Sequence, residues 1–134
     1  MAHALEGHDG QCRHIHGHSY VLYVRLSGKP LFEPGHPKNG MVMDFGDLKK
    51  IIDEQIIRVF DHALVLNENH TQTINTDDPS LKLVLVPYQP TCEMLLVDFR
   101  ERIQHLLPEQ VQLHSLRLNE TATSYAEWYA DDNL

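Results

Sequence analysis

The order of the predicted elements indicates an α+β fold in which an antiparallel sheet carries two helices on one face. Alternating β-branched and aromatic residues predict strands near both ends of the chain, and two segments with apolar residues at helical spacing lie between them. The length of 134 residues suits a single domain over residues 1–134. The hydrophobic fraction of 42% is enough for a modest core.

The first half of the chain is predicted to hold two strands and a helix. Residues 1–13 are rich in Gly and His and indicate an entry loop, and a strand runs from near His16 to Gly28. Residues 29–40 contain three prolines and two glycines, which is typical of a turn-rich connection. Residues 41–43 are predicted to pair with the first strand as a hairpin. A helix follows over 44–59, with Asp44 as its N-cap.

The second half is predicted to place one helix between strands. A short apolar run over 64–66 ends at Asn67. The elements expected after it are, in order, a polar loop over 68–80, a strand over 81–86, a helix over 92–107 capped by Thr91, and strands over 111–118 and 124–129.

Charge and composition exclude several classes of partner. The net charge of −8 with neutral histidines disfavours nucleic acid and anionic membrane surfaces. No apolar run approaches membrane-spanning length, and the N-terminal residues lack the basic and apolar regions of a signal peptide. Cys12 and Cys92 lie far apart, so we expect free thiols in a reducing cytoplasm rather than a disulfide.

Histidines near the N-terminus are candidate metal ligands. His16 and His18 are two positions apart on a predicted strand and therefore share a face, and His3 lies a short loop upstream. Three neutral nitrogen ligands with an open fourth position are typical of a catalytic zinc site. A His-x-His pair alone is more often part of a solvated strand edge. Metal binding is favoured here by the neighbouring residues, a thiol at Cys12 and an Asp-His pair further along the chain.

Six short motifs together carry a resemblance to a known family. They are Ala2-His3, Cys12-x-x-x-His16-Gly17-His18-x-Tyr20, Gly40-Met41-Val42-x-Asp44-Phe45-x-Asp47-Leu48-Lys49, Asp61-His62, Pro90-Thr91-x-Glu93 and Glu120-Thr121. In this order, over nearly the whole chain, they resemble the 6-pyruvoyltetrahydropterin synthase / 6-carboxytetrahydropterin synthase family. In that family a strand usually precedes the Ala-His element, whereas Met1 stands before it here. The segment 68–87 is also longer than we expect of compact bacterial members.

The resemblance implies an architecture and a cofactor. The family has the tunnelling fold (T-fold), whose subunits join sheets edge to edge into a trimeric barrel. Two trimers stack as a homohexamer with sites at subunit interfaces, which would also remove exposed sheet edges. It further implies Zn²⁺ held by His3, His16 and His18.

Roles for other side chains follow from the same resemblance. Cys12 would be the general base, with its pKa lowered by the zinc and by His62, and Asp61 would orient His62. Glu120 would anchor the pterin by pairing with two N–H groups of its pyrimidine ring. Weaker matches for substrate binding are Thr91 and Thr121.

Structural roles remain open for the same residues. Cys12 could be a buried inert thiol, and Asp61-His62 could simply close a helix C-terminus. Glu120 could be an ordinary exposed strand end, and Thr91 could do no more than begin a helix. Nothing in the sequence places cations for a triphosphate, although Arg13, Lys38 and Lys49 are candidates.

The gap between Cys12 and His16 favours one branch of the family. Four positions separate them, as in the bacterial queuosine-pathway enzymes. The predicted activity is therefore a zinc-dependent lyase that converts 7,8-dihydroneopterin triphosphate to 6-carboxy-5,6,7,8-tetrahydropterin, with loss of triphosphate and acetaldehyde. The alternatives are the pyruvoyl synthase, a non-catalytic metal- or pterin-binding protein, and a histidine-rich metal buffer.

Overall fold

The computed structural model describes residues 1–70 and 77–133 and confirms a mixed α+β architecture. In these ranges the strands are Ala2–His3 (β1), His16–Gly17 (β2), Val21–Gly28 (β3), Leu64–Asn67 (β4), Leu83–Val86 (β5), Val111–Asn119 (β6) and Tyr125–Tyr129 (β7). Helix α1, Phe45–Ile52, continues through a π-helical segment, Asp53–Ile57, into α2, Arg58–Phe60, and helix α3 spans Cys92–Ile103. Short 3₁₀ turns cover Gln11–Arg13, Gln104–Leu106 and Ala130–Asn133.

The strands form two sheets rather than one antiparallel sheet. Strands β3, β6 and β7 pair antiparallel in the order β3-β6-β7, as predicted for the longer strands. The other sheet has the order β2-β1-β4-β5 and is mixed, because β4 is parallel to both β1 and β5. The prediction of a single antiparallel sheet is therefore wrong, since strands of two to four residues carry too little alternation to reveal their partners.

The predicted strand from His16 to Gly28 is divided between the two sheets. Its first two residues pair with β1, in the register His3 opposite His16, whereas the strand from Val21 onward pairs with β6. The chain crosses between the sheets at residues 18–20, which belong to neither strand. This crossing brings the histidine segment against the start of the chain.

Residues 41–43 do not form the predicted hairpin strand with β3. Two main-chain hydrogen bonds instead close a loop between Leu31 and Met41. Leu31 donates its N–H to the Met41 carbonyl at 2.8 Å, and Gly40 donates to the Leu31 carbonyl at 2.7 Å. Gly40 has φ +85°, a left-handed conformation that glycine adopts without steric cost. The partner of β3 is β6, because a nine-residue apolar strand offers more buried pairing than this short segment.

Both predicted helix starts are confirmed. The Asp44 side chain accepts from the Gly46 N–H at 2.7 Å, and Thr91 Oγ1 accepts from the Met94 N–H at 3.2 Å. The first helical segment runs one residue past its predicted end, to Phe60, and α3 ends at Ile103 in a 3₁₀ turn. None of the helices in the described ranges has the length and apolar character of a membrane span.

The core lies between α3 and the antiparallel sheet. Five residues of α3 at helical spacing are buried, namely Cys92, Leu95, Leu96, Phe99 and Ile103. They pack in one cluster with buried residues of β6, which are Leu113, Leu116 and Leu118. Because α3 and β6 are fixed by this packing, the residues at their ends, Pro90 and Glu120, are held in fixed positions.

Truncating the core face of α3 should destabilise the chain. Leu95 is 0% exposed, so Leu95→Ala is expected to lower the free energy of unfolding by about 2–5 kcal/mol through lost burial and the cavity left behind. Met94→Ala is the matched control, because Met94 is on the same helix and 39% exposed. Urea denaturation of both variants measures the difference, and equal losses would contradict this account of the core.

Candidate active site

Three histidines come together where β1 and β2 pair. His3 and His16 are opposite each other in the register, with ring centroids 4.6 Å apart. His18 lies just past β2, with its ring centroid 5.3 Å from that of His3 and 5.0 Å from that of His16. A potential ligand atom from each of the three lies within 4.8 Å of the others. The structure thus brings together the three residues predicted as metal ligands.

Hydrogen bonds fix which ring nitrogen is free in two of these histidines. His3 Nδ1 is 2.7 Å from the Pro90 carbonyl oxygen, and His16 Nδ1 is 2.7 Å from that of His14. A carbonyl oxygen only accepts, so both Nδ1 atoms carry the proton and donate. In the neutral rings, Nε2 is then left with an unshared electron pair.

These free nitrogens fit a bound cation. The Nε2 atoms of His3 and His16 are 3.0 Å apart, and two unshared pairs at this distance repel unless a proton or cation lies between them. His18 Nε2 is buried and has no hydrogen-bond partner among the described residues. Carbonyl acceptors on the opposite nitrogens are the usual outer support of metal-binding imidazoles. The donor set therefore suits a divalent metal ion.

Burial keeps the His3 ring neutral, which is the form that binds a metal ion. His3 is 2% exposed, and this burial lowers its pKa, with the neighbouring His16 acting in the same direction. The hydrogen bond to Pro90 opposes the shift but does not reverse it. A neutral imidazole is the ligating species, so His3 need not lose a proton at neutral pH before it binds a metal.

Tyr20 and Glu120 stand beside the histidines. The Tyr20 ring is edge-on to His18, with centroids 5.4 Å apart, and its hydroxyl is 3.5 Å from Glu120 Oε1. Burial raises the pKa of Tyr20, and the Glu120 carboxylate raises it further, so the hydroxyl keeps its proton. Tyr20 was not predicted as a site residue, although it continues the alternation His16, His18, Tyr20 that signalled the ligands.

A cavity of about 480 Å³ opens next to this cluster. Its polar side chains include His18, Tyr20, Asp61 and His62, and apolar side chains from the first helical segment, β3, α3 and β6 form the remaining wall. The volume and this mixture of apolar wall and few polar groups are typical of a site for a small organic molecule.

Asp61 and His62 form the contact expected of a base and its orienting group. His62 Nδ1 is 3.0 Å from Asp61 Oδ1, at the point where α2 ends. His62 has φ +60°, a left-handed conformation that is uncommon for residues other than glycine, although histidine adopts it more often than most. Lys82 Nζ donates to the carbonyls of Arg58 and Asp61, each at 2.8 Å, and so fixes this helix end. The pair thus both terminates the helix and faces the cavity.

Cys12 and His62 belong to different local turns of the chain. It is half-buried within the 3₁₀ turn Gln11–Arg13 and does not line the cavity. Within the described ranges no hydrogen bond or ion pair joins it to His62, whose side chain is 90% exposed. The predicted partnership of Cys12 and His62 therefore stays a prediction.

The two threonines have local structural roles. Thr91 Oγ1 caps α3, as described above, and Thr121 Oγ1 accepts N–H groups from Thr123 and Ser124 at 3.3 and 3.0 Å in the turn between β6 and β7. Glu120 precedes Thr121 and donates its N–H to the Ser124 carbonyl at 2.9 Å. The turn therefore fixes the main chain of the predicted substrate-binding residues.

Cys92 is a buried structural thiol, and neither cysteine is in a disulfide. Its Sγ donates to the Leu118 carbonyl at 3.1 Å, and burial raises its pKa to about 11. The prediction of free thiols is thus confirmed for both cysteines.

Comparison with known proteins gives a consistent family. The sequence model of the 6-pyruvoyl tetrahydropterin synthase family matches residues 1–131. The chain is 39% identical to the 6-carboxy-5,6,7,8-tetrahydropterin synthase of Haemophilus influenzae over 132 residues, covering 96% of this chain and 91% of that one. It is 31% identical to the protein of the same name from Aquifex aeolicus, covering 88% and 75% of the two chains.

Solved structures show the same fold. The Caenorhabditis elegans 6-pyruvoyl tetrahydropterin synthase superposes with a TM-score of 0.66 at 23% identity, covering 96% of this chain and 87% of that chain. An uncharacterised Wolinella succinogenes protein, WS1659, superposes with a TM-score of 0.74 at 21% identity, covering 96% and 92%. At these identities the likeness concerns the fold alone.

Removing one ligand should abolish tight metal binding. His18→Ala is expected to weaken the affinity for one divalent ion per chain by at least about tenfold, because a site of three protein ligands loses one. His14→Ala is the control, since the carbonyl that His14 offers to His16 belongs to the main chain and survives the substitution. Equilibrium dialysis with metal analysis measures both variants. Unchanged affinity in His18→Ala, or several ions per chain in the parent, would contradict this site.

Proposed function

Because the chain belongs to the 6-pyruvoyl tetrahydropterin synthase family, we propose that it acts as a 6-carboxy-5,6,7,8-tetrahydropterin synthase. With uptake of one water molecule, it converts 7,8-dihydroneopterin triphosphate to 6-carboxy-5,6,7,8-tetrahydropterin and releases triphosphate and acetaldehyde. The observation that carries this proposal is the cluster of three histidines with free nitrogens beside a cavity of about 480 Å³. The name of the 39% identical relative supports the choice of product.

The metal in this proposal is Zn²⁺, held by His3, His16 and His18. Neutral imidazoles suit zinc, and three of them leave a position for substrate. When bound, the ion supplies a Lewis acid that makes the hydroxyl groups of the substrate side chain more acidic. The hydrogen bonds from His3 and His16 to main-chain carbonyls keep both rings turned toward the ion.

The substrate ring is anchored by Glu120. A carboxylate pairs with the two adjacent N–H groups of a 2-amino-4-oxopyrimidine, as it does with arginine. The turn that contains Thr121 holds Glu120 at the end of β6. The Tyr20 hydroxyl, which also contacts His3, is 3.5 Å from the Glu120 carboxylate. Thr91 and Thr121 then contribute to binding through their hydroxyls, which accept internal hydrogen bonds and still have an O–H to donate.

Proton transfer is assigned to Cys12 and His62. As a thiolate, Cys12 removes a proton from the substrate side chain. His62, oriented by Asp61, exchanges protons with the substrate from the side opposite Cys12. In the single chain His62 is 90% exposed, and within the described residues no hydrogen bond or ion pair joins it to Cys12. This arrangement supports a site that is completed at a subunit interface.

The assembly proposed is a homohexamer of T-fold subunits, each a single domain over residues 1–134. Strands β3 and β7 are the outer strands of the antiparallel sheet, so each leaves one row of main-chain groups for pairing with another subunit. Edge-to-edge pairing would form the trimeric barrel, and two such trimers would stack. A cytoplasmic location is consistent with free Cys12 and Cys92.

The second candidate is 6-pyruvoyltetrahydropterin synthase, which stops after loss of triphosphate and internal redox. The name of the family model that matches residues 1–131 favours it. The spacing of Cys12 and His16 and the relative from H. influenzae favour the carboxy product.

The product separates the two candidates. We expect the purified zinc-loaded protein to release acetaldehyde in stoichiometric amount with consumption of 7,8-dihydroneopterin triphosphate, measured by coupled alcohol dehydrogenase and by chromatography of the pterin. Chelation of the metal should stop the reaction, and added Zn²⁺ should restore it. Turnover without acetaldehyde would identify the pyruvoyl synthase, and activity that survives complete metal removal would refute the zinc-dependent mechanism.

The thiol at position 12 should be required for turnover. Cys12→Ala is expected to lower kcat by about 10²–10⁴-fold, the usual contribution of a general base, while metal content stays unchanged. Cys92→Ala is the matched control, since its thiol is buried against the Leu118 carbonyl and has no part in the reaction. Steady-state kinetics below the unfolding temperature of both variants makes the comparison. Full turnover in Cys12→Ala would remove Cys12 from the mechanism.

A further inference from the structure

Tyr20 contacts both halves of the candidate site, and the mechanism above gives it no role of its own. Its ring is edge-on to the rings of His3 and His18, with centroids 6.0 and 5.4 Å away. Its hydroxyl is 3.5 Å from Glu120 Oε1, across 100 positions of sequence. Tyr20 is therefore the residue through which the histidine cluster and the carboxylate at the end of β6 are in contact.

The geometry shows where the hydroxyl proton goes. The oxygen is 3.3 Å from His3 Nδ1 and 3.3 Å from His3 Nε2. A ring nitrogen accepts a hydrogen bond along its lone pair, which lies in the ring plane and points away from the ring. A hydroxyl oxygen equidistant from both nitrogens lies off both lone-pair directions, so neither nitrogen is a well-aligned acceptor. His3 Nδ1 is moreover a donor to Pro90. The carboxylate of Glu120 is the acceptor that remains within reach among the described residues.

Glu120 depends on this contact for the orientation of its side chain. The turn fixes its main chain through the N–H donated to Ser124, but it leaves the side-chain torsions free. In the described ranges the Tyr20 hydroxyl is the sole hydrogen-bond partner of the Glu120 carboxylate. Two parallel hydrogen bonds to a planar ring require the plane of the carboxylate to be set in advance, because an ordered group loses less entropy on binding.

We propose that Tyr20 is a positioning residue, whose hydroxyl sets the orientation of the Glu120 carboxylate and its distance from the histidine cluster. This inference rests on the proposed function, in which Glu120 receives the pterin ring. Tyr20 thereby fixes the separation between the ring end of the substrate and the hydroxyls that face the histidines. Its hydroxyl acts through Glu120, and its ring packs on the histidines.

The decisive variant is Tyr20→Phe, which keeps the ring contacts with His3 and His18 and deletes the hydroxyl. The probe is 7,8-dihydroneopterin without triphosphate, titrated onto the zinc-loaded full chain by pterin fluorescence. We expect the Kd to rise about 5–10-fold, which is below the usual effect of a hydrogen bond to a charged group because 3.5 Å is long. Zinc content should not change, and with the full substrate the KM should rise more than kcat falls.

A double-mutant cycle separates positioning from packing. In the Glu120→Ala background, Tyr20→Phe should change the Kd by less than about twofold, since the hydroxyl then has no carboxylate to orient. Tyr88→Phe is the matched control, because Tyr88 also donates to a carboxylate, that of Asp98 at 2.5 Å, away from the site. It is expected to lower the unfolding temperature and leave the Kd for dihydroneopterin unchanged.

Each contrary result has a distinct meaning. An unchanged Kd in Tyr20→Phe, an equal loss in the Glu120→Ala background, or a loss of bound zinc overturns the positioning role while Glu120 remains the anchor. If Glu120→Ala binds dihydroneopterin as tightly as the parent, the proposed function of Glu120 itself is refuted, and the inference falls with it.

Discussion

The hydrogen bond from the buried His3 ring to the Pro90 carbonyl is the constraint on which the site depends. At 2.7 Å it joins the first strand to Pro90, which directly precedes the N-cap of α3, the helix around which the core packs. It also decides the tautomer, so that Nε2 faces His16 and His18. Core packing and the geometry of the histidine cluster therefore share one contact, since a shift of α3 would turn His3 Nε2 away from His16 and His18.

Local signals in the sequence were sufficient for the helices and for the closeness of His16 and His18. Asp44 and Thr91 cap the helices because a side-chain oxygen there accepts an N–H of the first turn, which is a property of a few consecutive residues. The clustering of His16 and His18 follows in the same way from alternation. The position of His3 was harder to predict. Its strand, β1, has only two residues and therefore no pattern of its own, and its place in the sheet depends on parallel pairing with β4.

Contacts between distant segments explain what the sequence could not predict. The residues at 41–43 have strand-like side chains, but their main-chain groups bond within the loop that starts at Leu31. Tyr20 and Glu120 meet only because β3 and β6 are neighbours, a pairing that no local pattern specifies. Cys12 and His62 likewise belong to different local turns, so no local pattern specifies whether they meet. Residues 71–76, within the predicted loop over 68–80, lie outside the described ranges.

The left-handed backbone at His62 sets the stability of the fold against the proton-transfer role proposed for this side chain. Only glycine adopts φ +60° without a steric cost, and relief of such a conformation is worth on the order of 1 kcal/mol. A selection for heat resistance alone would therefore favour glycine at this position and discard the imidazole beside Asp61. Lys82, which donates to two carbonyls at the same helix end, offsets part of the cost without touching the ring. Engineers who seek a hardier catalyst should thus reinforce the neighbours of His62 and leave the residue itself in place.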